Sequence, residues 1–245
     1  MEKVQFQDLG LMRYQEAWDY QTALHRQLVE NKLKNKHLPP KSYVQEHQLL
    51  FVEHPPVYTL GKSGSMDNLL LSEAELSERG IEFFPINRGG DITFHGPGQI
   101  VGYPILDLEC FFTDVHRYVR NIEEVIIRTI AEYGIEGGRI KDYTGVWVSN
   151  IQYPMSNIQY PMSNVQRKIC AIGVHMSRWT TMHGWAFNVN TPLEYFSHII
   201  PCGIAEEDKA VTSLNQLLGY EVDLQEVKIK LKRHFEAVFE CELVG

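Results

Sequence analysis

The chain has 245 residues, enough for one large domain with a sizeable core, and its 44% hydrophobic and 22% charged residues are ordinary for a soluble globular protein. A formal net charge of −8 argues against a general nucleic-acid binder. No run approaches the 18 or more apolar residues of a membrane span, and Met1 to Gln5 leads into no apolar signal region, so a cytoplasmic protein is expected. Leu11 to about Lys36 reads as an amphipathic helix, with Leu11, Tyr14, Trp18, Leu24 and Leu28 near one face, closed by Pro39-Pro40. Leu49 to Glu53 and Val57 to Leu60 are short strands around His54-Pro55-Pro56. Ser72 and Glu75 have the spacing of a capping box, opening a short helix that Gly80 closes. Ile81 to Asn87 is a strand, and Ile100 to Leu108 another. Val115 to Tyr133 is a second long helix, with Val115, Val119, Ile122, Ile126 and Ile130 at helical spacing. Strands follow at Gly145 to Val148, Lys168 to Val174 and Gly184 to Val189, then helices at Val211 to Leu218 and Asp223 to Cys241. Strand runs separated by isolated helices, with no linker, predict a single α+β domain with a mixed or antiparallel sheet.

Between the strand at Ile81 and the one at Ile100 lies Arg88-Gly89-Gly90-Asp91-Ile92-Thr93-Phe94-His95-Gly96-Pro97-Gly98-Gln99. Four glycines beside an Arg, an Asp, a Thr and a His make a loop that lets backbone approach a ligand closely. It matches neither the phosphate loop nor the dinucleotide fingerprint. A second feature is an exact tandem repeat: Ile151 to Asn157 recurs as Ile158 to Asn164. Two copies of seven residues do not make a solenoid, so a duplicated insertion at a hairpin tip is expected.

Four cysteines stand without a C-x-x-C pair, so neither a disulfide frame nor a metal site is expected. Cys202, between Pro201 and Gly203, is the best placed nucleophile. Cys170 lies in an apolar strand and Cys241 in a helix, where a thiol behaves as a small hydrophobe. Cys110 follows acidic residues that would keep it protonated. A reactive thiol needs a partner for its proton; Lys168, His95, His175, His183 and His198 are available, and spacing does not choose among them.

Five stretches, in order, resemble the lipoyl(octanoyl) transferases of lipoate synthesis. Leu50 to Gly61 is similar to their E-H-x-P-x-[FY]-T-x-G segment. Arg88 to Gln99 is similar to R-G-G-x-x-T-x-H-G-P-G-Q. Lys168 to Gly173 resembles K-[IV]-x-[AS]-[IL]-G, His183 to Asn190 resembles H-G-x-[AS]-[FL]-N-[VI]-[NS], and Ile200 to Ile204 resembles P-C-G-[IYL]. Together they run from Leu50 to Ile204, within a match of roughly residues 50 to 218. The resemblance implies the α+β fold of the biotin/lipoate protein ligase catalytic type, with a mixed β-sheet and flanking helices. It implies transfer of an octanoyl group from acyl carrier protein to one lysine of a lipoyl domain, in 2-oxoacid dehydrogenases or the glycine cleavage H protein. Cys202 would hold the acyl group and Lys168 would be the base. Arg88, Gly89, Gly90, Asp91, Ile92, Thr93, Phe94, His95, Ala171, Ile172, Gly173, Gly184, Trp185 and Ala186 would line the acyl site. No metal or cofactor is implied, and nothing calls for more than a monomer. Both carriers are usually acidic, so a basic patch is expected from among Lys62, Arg88, Arg139, Lys141, Arg167, Lys168 and Arg178. Three readings compete: an ATP-dependent lipoate or biotin ligase, a silent acyl- or lipoyl-domain-binding protein, and a Cys-His hydrolase.

Overall fold

A computed structural model of the chain describes residues 1–149, 165–200 and 208–245. The first helix, α1 (Tyr14–Lys34), follows a strand, β1 (Glu2–Leu11), that hydropathy does not announce. Leu11 ends that strand and is exposed, so the helix starts three residues later than its spacing suggests. Its buried stripe is Tyr14, Ala17, Gln21 and Leu28, rotated from the expected one, with Trp18 and Leu24 only partly covered. Strands β2 (His47–Glu53) and β3 (Val57–Leu60) flank the prolines. Helix α2 (Glu73–Glu78) has the full capping box: the Ser72 hydroxyl accepts from the Glu75 amide, and the Glu75 carboxylate accepts from the Ser72 amide.

Strand β4 (Glu82–Pro85) leads to the glycine-rich segment, which contains a short strand of its own, β5 (Ile92–His95), before β6 (Gln99–Ile105). Helix α3 (Val115–Ala131) is capped by Asp114, whose carboxylate accepts from the Arg117 amide. After it come β7 (Gly137–Ile140), β8 (Tyr143–Val148), β9 (Gln166–Ser177) and β10 (Thr180–Asn188). The chain closes with β11 (Lys209–Val211), α4 (Leu214–Leu218), α5 (Leu224–Phe239) and β12 (Cys241–Val244). Cys241 is therefore on a strand and not on the last helix: Glu240, in the left-handed region at φ 54°, ends α5 one residue before it. The repeat at 151–164 and the turn at 201–204 lie outside the described residues.

The described strands form two mixed sheets. The large one runs β12-β1-β2-β6-β10-β9-β8-β7, with β11 parallel to the start of β9; β1 is parallel to both β12 and β2, and the remaining neighbours in that order are antiparallel. The small one runs β4-β3-β5. This is the expected α+β class with a mixed sheet and flanking helices. One face of the large sheet packs on α3 and α5 around Ile122, Ile126, Trp185, Phe187 and Phe235. The other face, with Leu50, Val52, Val101, Tyr103 and Ala186, meets α1. The small sheet has its own core, where Phe94 stacks on Tyr195. No helix among the described residues is long and apolar enough to cross a membrane.

Candidate active site

Strand register creates the site. On β9 and β10, Ala171 pairs with Ala186 and Gly173 with Gly184. Side chains alternate across a sheet, so Trp185 and Phe187 enter the core under α3 and α5 while Gly184 and Ala186 face the α1 side. Two adjacent pairs of nearly side-chain-free positions leave a groove there. The glycine-rich loop roofs it. The Gly89 amide donates to the Val174 carbonyl at 2.9 Å, and a Cβ on Gly173 would lie 2.9 Å from the Gly89 oxygen, so a side chain on Gly173 would lift the roof.

The roof is pinned from within. Arg88 is buried, and its guanidinium donates to the Thr59 carbonyl (2.7 Å), the Thr59 hydroxyl (3.0 Å) and the Gly89 carbonyl (3.0 Å). Asp91 accepts from the Ile92 amide and from Asn68 Nδ2, which makes it an organiser of the loop. Behind the roof stands His95. Its Nδ1 lies 2.8 Å from Gln99 Oε1, and the amide orientations follow from the network: Asn188 Nδ2 donates to the Thr212 carbonyl, so Asn188 Oδ1 accepts from Gln99 Nε2, which leaves Gln99 Oε1 to accept from His95 Nδ1. His95 is thus a neutral ring carrying its proton on Nδ1, with Nε2 toward the Thr59 hydroxyl. Burial, then the nearby His54, holds its pKa well below the usual imidazole range. Tyr14 stacks nearly parallel on His95, with His54 and Tyr103 closing an aromatic end wall; His54 Nε2 accepts from the Tyr103 hydroxyl at 2.8 Å.

The result is a cavity of about 310 Å³, at the lower end of the range for small-molecule sites. Arg88, Gly89, Gly90, Asp91, Ile92, Thr93, His95, Ala171, Ile172, Gly173, Gly184, Trp185 and Ala186 line it, and so does Lys168. Phe94 does not. Its ring turns into the core of the small sheet, against Tyr58, Tyr195 and Phe196, because strand alternation in β5 points it away from Thr93 and His95. Tyr14, Gln99, Val101, Tyr103 and Asn188 also line the cavity. Gln99 and Asn188 lie in two of the five motifs and were within reach of sequence reasoning. Tyr14 was not, since a tyrosine on a helix stripe reads as plain core.

Lys168 reaches the cavity through an irregularity. On β8, Val146 pairs with Cys170 and Trp147 with Lys168, so Ile169 is an extra residue on β9. Ile169 and Cys170 both enter the large core, and Lys168 falls on the side of Ala171. Its Nζ lies 4.6 Å from the Trp147 ring centroid. The Thr212 amide donates to the Lys168 carbonyl, and β11 pairs Val211 with Lys168. Cys202 lies outside the described residues, which stop at Ile200 and resume at Asp208. The other three thiols are buried. Burial pushes Cys110 up to about 11 and Cys241 to about 12, and holds Cys170 well above the usual thiol range. The nearby Asp107 adds to the effect of burial at Cys110, as its acidic neighbours suggest. Two residues of the expected basic patch are committed elsewhere: Arg88 is inside the fold, and Arg139 pairs with Glu123 and Glu124.

The profile of the lipoyl protein ligase A/B catalytic domain matches residues 13–236. The chain belongs to that family. Its relatives include proteins named octanoyltransferase: one from Flavobacterium johnsoniae is 54% identical over 99% of both chains, and one from Christiangramia forsetii is 51% identical over 99% of this chain and 98% of its own. One from Parabacteroides distasonis is 45% identical over 98% of this chain and 100% of its own. Among solved structures, a bi-partite lipoate protein ligase from Thermoplasma acidophilum superposes with a TM-score of 0.66 at 14% identity, covering 100% of this chain and 86% of that one. Lipoate-protein ligase A bound with ATP gives 0.65 at 14% identity, covering 100% and 88%. At that identity the structures speak to fold, which is the one the motifs implied.

Proposed function

We propose that the protein moves an octanoyl group from acyl carrier protein to a lysine of lipoyl domains, through a thioester on Cys202 with Lys168 as the base. The enzyme is an acyltransferase of the octanoyltransferase family. The observation that carries the route is the groove: a floor stripped of side chains at Ala171, Gly173, Gly184 and Ala186, closed by an aromatic wall and rimmed by Lys168. An extended alkyl chain fits such a floor, and small residues leave it the room.

In this reading the Cys202 thiol attacks the donor thioester carbonyl. The carrier thiol leaves with a proton, and the acyl group stays on Cys202. The acceptor lysine amine then attacks, Lys168 takes the proton released from it and passes it to the departing sulfur, which restores the Cys202 thiol. A thioester divides one hard transfer into two easier ones. Backbone amides of the glycine-rich loop would serve the tetrahedral oxyanion, where one donor is typically worth about 3 kcal/mol. That Cys110, Cys170 and Cys241 are buried and held protonated supports giving the chemistry to Cys202. The acceptors would be lipoyl domains of 2-oxoacid dehydrogenases and the glycine cleavage H protein, served in the cytoplasm by a monomer.

The competing ligase chemistry is separated by its donor. The protein is expected to octanoylate a lipoyl domain from octanoyl-acyl carrier protein without ATP, and to leave octanoate plus ATP unused. Transfer from octanoate that requires ATP, with none from the carrier, would overturn the proposal.

A further inference from the structure

Glu123 is a fully buried carboxylate on α3 that the route above does not use. Its Oε2 accepts from Arg120 Nη1 (2.6 Å) and Arg139 Nε (2.9 Å), which neutralise it. Its Oε1 accepts from the backbone amide of Gly145 at 3.1 Å. Gly145 sits on β8 between two irregularities: the pairing with β7 jumps from Tyr143–Ile140 to Trp147–Gly138, and the ladder to β9 is broken after Val146 by the extra Ile169. It holds φ at 126°, a conformation open to glycine, and a Cβ there would lie 2.6 Å from the Cys170 carbonyl oxygen and 3.7 Å from Lys168 Cδ.

The bulge decides which way Lys168 points. With strict alternation, Lys168 would share the face of Cys170, inside the large core. The extra Ile169 moves it to the face of Ala171. A bulge leaves ladder groups unpaired and needs something else to satisfy them. Here the Glu123 carboxylate takes the Gly145 amide, and the missing Cβ of Gly145 lets the Cys170 carbonyl come close. We infer that Glu123 and Gly145 are positioning residues for Lys168, holding the β8–β9 bulge that presents its amine to the acyl groove. The inference rests on the reading of Lys168 as the base.

The test measures octanoyl transfer by Glu123→Ala, Gly145→Ala and Arg120→Gln, alone and in a Lys168→Ala background. Glu123→Ala and Gly145→Ala are expected to lower kcat at least 30-fold with KM for octanoyl-acyl carrier protein within threefold. Arg120→Gln removes one ion pair and keeps the Gly145 bond, so its kcat stays within threefold of wild type. In the Lys168→Ala background, adding Glu123→Ala should lower the residual rate less than twofold, because its effect passes through the lysine. Should Glu123→Ala fail to fold, Gly145→Ala is read in the same way. A slow Lys168→Ala beside an unchanged Glu123→Ala or Gly145→Ala overturns the inference alone, as does a full additional loss in the double variant. A Lys168→Ala variant as fast as wild type overturns the reading of the base, and the inference with it.

Discussion

Gln99 joins the roof of the groove to its floor, and replacing it with Leu tests how much the buried network contributes. Gln99 is 1% exposed. It accepts from His95 Nδ1 at 2.8 Å and donates to Asn188 Oδ1 at 2.9 Å and the Phe94 carbonyl at 3.1 Å. Leu keeps the approximate size, so no large cavity opens. It strands the His95 N–H and the Asn188 oxygen in the interior. Each buried group left without its partner costs about 1–3 kcal/mol. Two such groups give a destabilisation of about 4 kcal/mol, with the second lone pair of the Phe94 carbonyl adding little. For a chain of this size that corresponds to a Tm lower by about 8–16 °C. Urea titration at pH 7.5, followed by tryptophan fluorescence, reads it directly. A loss under about 1 kcal/mol with unchanged m-value would show that the network is not satisfied as described.

Four further outcomes are expected. Burial holds His47 and His54 at about 4, His183 at about 3 and His95 well below the usual range; these folded-state values lie below the unfolded one near 6.5, so stability is intact above pH 6.5 and lost as pH falls. That loss is about 1 kcal/mol per histidine between pH 6.5 and 5.5, or about 4 kcal/mol together; a urea midpoint that does not move over this interval would contradict it. Ala186→Leu fills the groove floor, and kcat/KM for an octanoyl donor should fall at least tenfold further than for a butyryl donor, whereas an equal loss for both would place the chain elsewhere. Ser72→Ala removes the capping box and is expected to cost about 1 kcal/mol by denaturant titration; no change would mean that α2 is held by packing alone. Deleting residues 158–164, one copy of the repeat, should leave kcat and KM within twofold, and a larger change would give the duplication a function.

The parts of the site that sequence reveals are those whose residue types are themselves the constraint. Gly89, Gly173 and Gly184 stand where backbone meets backbone, Gly90 holds φ at 88°, and the clustering of these glycines along the sequence marks the roof and floor. The strands from Leu49 to Glu53 and from Gly184 to Val189 were legible from apolar runs, and α3 from its spacing. What sequence hides is pairing. β1 carries Gln, Asp and Lys among its apolar residues and is recognisable only once β12 and β2 lie parallel on its two sides. Cys241 continues the pattern of α5 and is diverted by one left-handed residue, Glu240. Phe94 sits within the signature but on the wrong face of a four-residue strand. The orientation of Lys168 follows from a bulge that hydropathy cannot show, since Ile169 and Cys170 are both apolar and read as ordinary strand.

The most direct test of the account is the intact mass of the protein after incubation with octanoyl-acyl carrier protein, for wild type and Cys202→Ser. One octanoyl adduct is expected on wild type, released by hydroxylamine and absent from the variant. A hydroxylamine-sensitive adduct that persists in Cys202→Ser, or wild-type protein that transfers octanoate to a lipoyl domain without ever carrying it, would contradict the thioester route.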